Sequence, residues 1–210
     1  MISKPQQETI RVSCAALCRI EIDGKFLLEI NKNRGDVLTP IGGALEFDEE
    51  ARPFLETLGA EFEKGNDLRL TLLSRSLADF EAWFAERKQR EVDPLRELRE
   101  ELLSEHGLDP TIDIDKWNWQ LLWTSKDETK TTRKGAEGAL SRYCFEVYDI
   151  QIPPRLRARF ADSVEKTGVR LFWVSEADIR KGQAPGGFEI GTNANAILSG
   201  ELDRKPSESD

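Results

Sequence analysis

The sequence is poor in the residues that build zinc sites and disulfide frameworks, and it lacks long apolar runs. Its 210 residues include one histidine and three cysteines. The cysteine count is odd and the three lie in apolar, strand-like stretches, which favours free buried thiols in a reducing cytoplasm. Cys14 and Cys18, with only His106 elsewhere, have poor spacing for zinc ligands. No stretch of about 18 apolar residues occurs, so we expect no membrane span.

The sequence also lacks an excess of basic residues, with 30 Lys and Arg against 39 Asp and Glu. The formal net charge is −9, with 39% hydrophobic and 33% charged residues, as in an ordinary soluble globular protein. This balance argues against a surface that coats nucleic acid, which would be basic, but not against a nucleotide substrate held through divalent cations. The N-terminal residues 1–9 are polar and contain no apolar leader segment, so we expect a loose arm and a cytoplasmic location.

The most organised stretch is residues 93–107, for which the pattern predicts a helix with both ends marked. Asp93 suits the N-cap, Pro94 suits the first helical position, and Gly107 can adopt the left-handed conformation that ends a helix. Three leucines spaced along one side form a narrow apolar stripe that would face a core: Leu95, Leu98 and Leu102.

The opposite side of this helix carries three carboxylates, at Glu97, Glu100 and Glu101. Their i, i+3, i+4 spacing places the Cβ atoms about 5–6 Å apart. Carboxylates this close repel one another unless a cation lies among them, and oxygen ligands suit Mg²⁺ or Mn²⁺. The alternative is an ordinary solvated face on which Arg96 and Arg99 pair with the acids.

A second stretch, residues 40–49, decides between these interpretations. Gly43 followed by Glu49, and later by Arg96-Glu-Leu-Arg-Glu-Glu101, resembles the Nudix box, G-x5-E-x7-R-E-U-x-E-E-x-G-U, where U is aliphatic. The core R-E-U-x-E-E matches at every defined position. In two places the sequence departs from the motif: 46 residues, instead of seven, separate Glu49 from Arg96, an insertion of 39, and the closing x-G-U is stretched to Gly107-Leu108. A split box of this kind resembles the SMODS-associated NUDIX domains of bacterial defence loci.

The resemblance implies an α+β fold, an α/β/α sandwich with a mixed sheet flanked by helices. It also implies Mg²⁺-dependent (or Mn²⁺-dependent) cleavage of a nucleoside diphosphate linked to another moiety, such as a nucleoside triphosphate, with a role in antiviral defence. By position, Glu97, Glu100 and Glu101 would bind metal together with the backbone of Gly43, and Glu97 or Glu100 would lie nearest the attacking water. Arg96 would orient Glu49, and Gly42 and Gly43 would let the backbone approach the substrate closely. Family members often use a further acid, for which the candidates are Glu128, Glu137 and Glu146.

The chain is expected to form one Nudix-like domain over residues 1–205, with an insert at about 51–92 and a disordered tail at 201–210. An Asp23-Gly24 turn predicts a hairpin of strands 11–22 and 25–31. Within the insert, alternating leucines predict an edge strand, and Ser76 would cap a helix running to about Gln89. The insert could form a lid, a homodimer surface, or simply pack on the body.

Two further features bear on substrate binding. Residues 125–140 are polar and predict a mobile loop, whose cations Lys130, Arg133 and Lys134 could clamp phosphates or remain solvated. Trp117, Trp119 and Trp123 share one parity and could stack a nucleobase, although such residues more often belong to a core.

Two non-catalytic functions stay open beside the hydrolase. The chain could be a Nudix-like sensor that binds a nucleotide or nucleotide-sugar without cleaving it, or a docking module that uses the insert as its contact surface. The intact acids of the R-E-U-x-E-E core favour the enzyme, because a pure binder does not need them.

Overall fold

The structure is a computed structural model that describes residues 8–31, 36–131, 138, 140–167 and 170–198. Eight strands and five α-helices occur within these residues, which confirms the predicted α+β class. The strands are β1 (Thr9–Ile22), β2 (Lys25–Asn31), β3 (Val37–Pro40), β4 (Glu61–Phe62), β5 (Arg69–Leu73), β6 (Asn118–Lys130), β7 (Leu140–Gln151) and β8 (Leu171–Ser175). The helices are α1 (Arg52–Thr57), α2 (Leu77–Glu86), α3 (Leu95–Leu98), α4 (Pro154–Thr167) and α5 (Glu176–Lys181).

The chain divides into two compact units. The first unit comprises Met1–Ala15, Ala44–Val92 and Lys126–Cys144, and the second unit comprises Ala16–Gly43, Asp93–Ser125 and Phe145–Asp210. Three strands, β1, β6 and β7, contribute residues to both units. The expectation of a single domain over residues 1–205 stays a prediction.

In the second unit, strand β2 is hydrogen-bonded along both sides. It pairs antiparallel with β1 next to the turn, with β3 through residues 28–31, and with β8 through residues 25–29. The turn residues Asp23 and Gly24 have φ angles of 51° and 74°, as a tight turn requires, so the predicted hairpin is confirmed. A parallel bridge between Leu38 and Ile190 makes the pairing mixed.

In the first unit, β5 lies between two strands. It pairs with β1 through residues 69–73 and with β4 through Thr71 and Leu70. The expectation of an edge strand was therefore wrong, because the two-residue strand β4 covers the exposed side. The alternating leucines are buried as expected: Leu68, Leu70 and Leu72.

Two other boundaries differ from the sequence-based prediction. Helix α2 ends at Glu86 rather than near Gln89, because Arg87 adopts a left-handed φ of 56°. The loop predicted from Ser125 begins later, since β6 continues to Lys130. The tail at 201–210 lies outside the described residues.

Helices α4 and α5 belong to the second unit. Ser175 caps helix α5, because its hydroxyl accepts from the backbone N–H of Asp178 at 3.2 Å while the Asp178 carboxylate accepts from the Ser175 backbone N–H at 2.9 Å. Among the described residues, no helix is long and apolar enough to cross a membrane.

Candidate functional site

The glutamate segment begins and ends in the second unit much as its sequence predicts. The Asp93 carboxylate accepts a hydrogen bond from the Leu95 backbone N–H at 3.0 Å. Gly107 has a φ of 63°, and the Leu108 N–H donates to the Leu102 carbonyl at 2.9 Å, closing the last turn. Between these ends the backbone is α-helical over Leu95–Leu98 and π-helical over Arg99–Glu105.

Gly43 leaves the space that the Glu97 carboxyl group occupies. A Cβ atom at position 43 would overlap all three atoms of that carboxyl group, and a Cβ at Gly42 would overlap the Ala16 carbonyl. The Gly43 carbonyl accepts from the Ala16 backbone N–H at 2.9 Å, so the turn is held against β1. The glycine pair therefore permits a close approach between backbone and carboxylate.

The three glutamates of the motif differ in exposure. The Glu97 side chain is 6% exposed and its Oε1 lies 2.8 Å from Arg96 Nη2. The Glu100 side chain is 58% exposed and lies 3.4 Å from Arg96 Nη1. Glu101 is half-buried. Arg96 thus bridges a buried and an exposed carboxylate.

Glu101 forms a hydrogen-bonded carboxyl pair with Glu29, which lies on β2. Burial and the negative charge of Glu29 raise the pKa of Glu101 to about 8. Burial raises the pKa of Glu29 to about 7, even though its hydrogen bond with Glu101 opposes the shift. Two carboxyl groups in contact need a shared proton or a cation between them.

His106 completes this cluster. Its Nε2 lies 2.8 Å from Glu29 Oε2, and the two side chains are only 3% and 6% exposed. One ligand atom each from Glu29, Glu101 and His106 can be chosen so that all three lie within 4.8 Å of one another. The pKa of the Cys18 thiol is raised mainly by burial. The negative charges of Glu97, Glu29 and Glu101 raise it further.

The donor set fits a divalent cation. Buried carboxylates with raised pKa values are destabilised as anions, and a divalent ion would compensate for their charge. Glu97 and Glu101 supply oxygen donors that suit Mg²⁺ or Mn²⁺, and the second lone pair of the Gly43 carbonyl is a further donor.

The comparison with known families agrees with this geometry. The family model described as the SMODS-associated NUDIX domain matches residues 9–198. The chain belongs to this family. No curated protein matches the sequence.

Two predicted site residues of this SMODS-associated NUDIX chain lie in the first unit. Glu49 is exposed, and its carboxylate accepts from Arg52 Nε at 2.8 Å, which lowers the pKa of that carboxyl. Lys130 is exposed at the end of β6. The orientation of Glu49 by Arg96 stays a prediction. Arg133 and Lys134 lie outside the described residues.

The candidates for a further acid are also distributed. Glu128 is in the first unit and lies 3.0 Å from Arg142 Nη2. Glu146, in the second unit, is 1% exposed and accepts from the Tyr148 hydroxyl at 2.5 Å. Glu137 lies outside the described residues.

The three tryptophans contact protein groups in the second unit. Trp117 packs edge-on against Phe160, with ring centroids 5.2 Å apart. Trp119 packs against Tyr148 at 5.5 Å, and Trp123 Nε1 donates to the Ala196 carbonyl at 3.0 Å. These contacts support the core interpretation.

Sequence reasoning missed Glu29 altogether and did not include His106 among the candidate site residues. A carboxylate within the apolar run Phe26-Leu-Leu-Glu-Ile30 could have revealed Glu29, because strands of this kind rarely bury an acid without a partner. No local pattern links Glu29 to His106.

Proposed function

We propose that this SMODS-associated NUDIX protein is a divalent-cation-dependent pyrophosphohydrolase. The observation that carries the proposal is the Glu97 carboxylate held beneath Gly43, in the same compact unit as Glu101. Gly43 and Glu97 come from the two halves of a motif whose spacer is 39 residues longer than usual, and they are nevertheless neighbours. A pure binding module would not need this set of acids.

Glu97, Glu101 and the Gly43 carbonyl would hold the cation. When bound, Mg²⁺ or Mn²⁺ would neutralise charge on the phosphoric anhydride and lower the pKa of a water molecule. Arg96 keeps the buried Glu97 carboxylate in place through its 2.8 Å contact. Glu100, being exposed, is the carboxylate of the motif that a solvent molecule reaches, so it is our candidate for accepting the proton of the attacking water.

The substrate we propose is a nucleoside diphosphate linked to another moiety, with a nucleoside triphosphate preferred. This preference is supported by three positively charged residues that are close in sequence, Lys130, Arg133 and Lys134, because cationic side chains bind phosphate groups well. The role we propose is cytoplasmic and lies in antiviral defence, through changes in nucleotide pools or signals. The family match supports the link to defence.

One observation favours a second candidate, a nucleotide sensor without catalysis. Arg96 contacts both Glu97 and Glu100, and a guanidinium group in this position partly replaces the charge of a cation. A sensor of this kind would bind nucleotides and leave them intact.

Hydrolysis and binding are separated by incubating the protein with nucleoside triphosphates, dinucleotides and nucleotide sugars, with and without Mg²⁺, and resolving the products by chromatography. The hydrolase predicts Mg²⁺-dependent products that disappear in Glu101→Gln and persist in the matched control Glu165→Gln, an exposed acid on α4 of the same unit. Binding without products would support the sensor, and neither binding nor products would support a docking module.

A further inference from the structure

We propose that Glu29, Glu101 and His106 form a cation site of mixed nitrogen and oxygen ligands that prefers Zn²⁺ over Mg²⁺. It goes beyond the proposed function, because two of its three ligands lie outside the Nudix motif and cation binding there does not require hydrolysis. Glu101 is the residue common to this site and the proposed hydrolytic centre.

The sheet fixes the position of Glu29. Its backbone pairs with Thr39 of β3 on one side and Leu171 of β8 on the other. A residue paired on both sides has little freedom to move its Cα atom, so the carboxylate direction depends on side-chain torsions alone. Its burial next to His106 restricts these torsions further.

The π-helical turn brings the other two ligands to one side of their segment. In an α-helix, residues five apart would point in directions about 140° apart. Here the His106 N–H donates to the Glu101 carbonyl at 3.0 Å, the i to i+5 bond of a π-helix, so the two residues lie on successive turns. Turns of this kind occur frequently at functional sites. The stretch between Glu101 and Gly107, where the sequence departs from the Nudix motif, is the part that contains His106.

A divalent cation can take the place of the proton that the two carboxyl groups otherwise share. Two carboxylates contribute up to two negative charges, and one imidazole contributes at most one positive charge. A divalent ion would balance the pair and satisfy all three side chains at once. Ligand distances of about 2.0–2.2 Å are reached by small side-chain rotations, because the ligand atoms already lie within 4.8 Å of one another.

The ligand types determine the preference among metals. Carboxylates accept Mg²⁺, Mn²⁺ and Zn²⁺, whereas an imidazole nitrogen favours Zn²⁺ and other first-row transition metals and contributes little to Mg²⁺ binding. Replacing the nitrogen should therefore weaken Zn²⁺ binding much more than Mg²⁺ binding.

The test uses the full chain without an affinity tag, so that His106 is its one histidine. Nitrogen-15 NMR of the metal-free protein follows Nε2 and Nδ1 during titration with ZnCl₂ and, separately, MgCl₂. We expect one equivalent of Zn²⁺ to shift Nε2 strongly and Nδ1 weakly, and Mg²⁺ to shift neither. An Nε2 resonance unchanged by Zn²⁺ would overturn the proposal. Because this measurement uses the wild-type protein, it does not depend on whether a variant folds.

Variants then identify the ligands by calorimetric titration. His106→Gln should lower Zn²⁺ affinity by about tenfold or more, since even weaker supporting contacts have effects of this size, and should change Mg²⁺ affinity less than about twofold. Glu29→Gln should weaken Zn²⁺ binding as well, while Glu165→Gln, an exposed acid on α4, should match the wild type. If His106→Gln lost Zn²⁺ affinity and Mg²⁺ affinity to the same extent, the result would contradict the site.

Hydrolysis measured in parallel distinguishes this proposal from the proposed function. If the enzyme is active and the His106 resonance does not shift with Zn²⁺, only the cation site is overturned. If the His106 resonance shifts and the protein is inactive, only the hydrolase is overturned.

Discussion

The carboxyl group of Glu97 occupies the volume that a side chain at Gly43 would need. The relationship joins two residues 54 positions apart in sequence, within one compact unit. It gives a physical reason for glycine at position 43 that does not depend on an unusual φ angle: the space is already filled by a functional group.

Gly43→Ala should therefore displace Glu97. We expect a loss of about 1–3 kcal/mol in the free energy of unfolding, the usual effect of overpacking, measured by urea denaturation, and a loss of cation-dependent hydrolysis. Combining it with Glu97→Asp, whose side chain is shorter by one methylene, should recover part of the stability. If the double variant loses as much free energy of unfolding as the two single variants lose together, the two residues do not interact as described.

The Glu29–Glu101 pair predicts how the stability of the metal-free protein depends on pH. Both pKa values are raised in the folded state, to about 7 and about 8, from an ordinary value of 4.5. Above pH 4.5 the unfolded chain releases these protons while the folded chain retains them, so stability should fall as pH rises, with most of the loss complete above pH 8.

Calorimetric melting temperatures in the presence of a chelator, from about pH 5 to about pH 9, measure this effect. Glu101→Gln should make the profile flatter, and a saturating divalent cation should raise the melting temperature most at the alkaline end, where both carboxylates are free to bind it. A wild-type profile with the same slope as that of Glu101→Gln would show that the pair does not titrate as described.

Local patterns were sufficient to predict the ends of the glutamate segment. Asp93 and Gly107 act through backbone groups within a few residues of themselves, so their roles follow from side-chain type and position alone. The Asp23-Gly24 turn is predictable for the same reason. The resemblance added the pairing of Gly43 with the glutamates, which spacing alone could not supply across the 53 residues between Gly43 and Glu97.

What failed to follow from the sequence depends on tertiary pairing. Glu29 enters the site because β3 and β8 both pair with its strand, and single-sequence patterns do not specify those partners. The expectation for β5 failed because a two-residue strand such as β4 is too short to leave a periodic pattern. The placement of the three glutamates on one face of an ideal helix also did not predict that Glu100 is exposed while Glu97 is buried.

The three cysteines provide a simple check on the buried thiols. Cys14, Cys18 and Cys144 are free and buried, and a thiol reagent reacts only with an accessible thiolate. We expect dithionitrobenzoate to modify none of them rapidly in the native protein and all three in denaturant without a reductant. Rapid native labelling, or fewer than three thiols after unfolding, would contradict the structure at β1 or β7.

Arg96 offers the sharpest separation between the hydrolase and the sensor. Its guanidinium group contacts the buried Glu97 at 2.8 Å and the exposed Glu100 at 3.4 Å, a bridge that a single ammonium group reproduces poorly. We expect Arg96→Lys to keep the fold but to lower kcat by about tenfold or more, because Glu97 loses its fixed orientation, and Arg96→Met to lower the free energy of unfolding by about 1–3 kcal/mol as well. Arg99→Lys, on the same segment but paired with Asp115, is the matched control and should retain wild-type turnover. If Arg96→Met instead bound Mg²⁺ more tightly than the wild type and its stability were unchanged, Arg96 would be acting as a substitute for the cation, and the sensor would become the better account of the site.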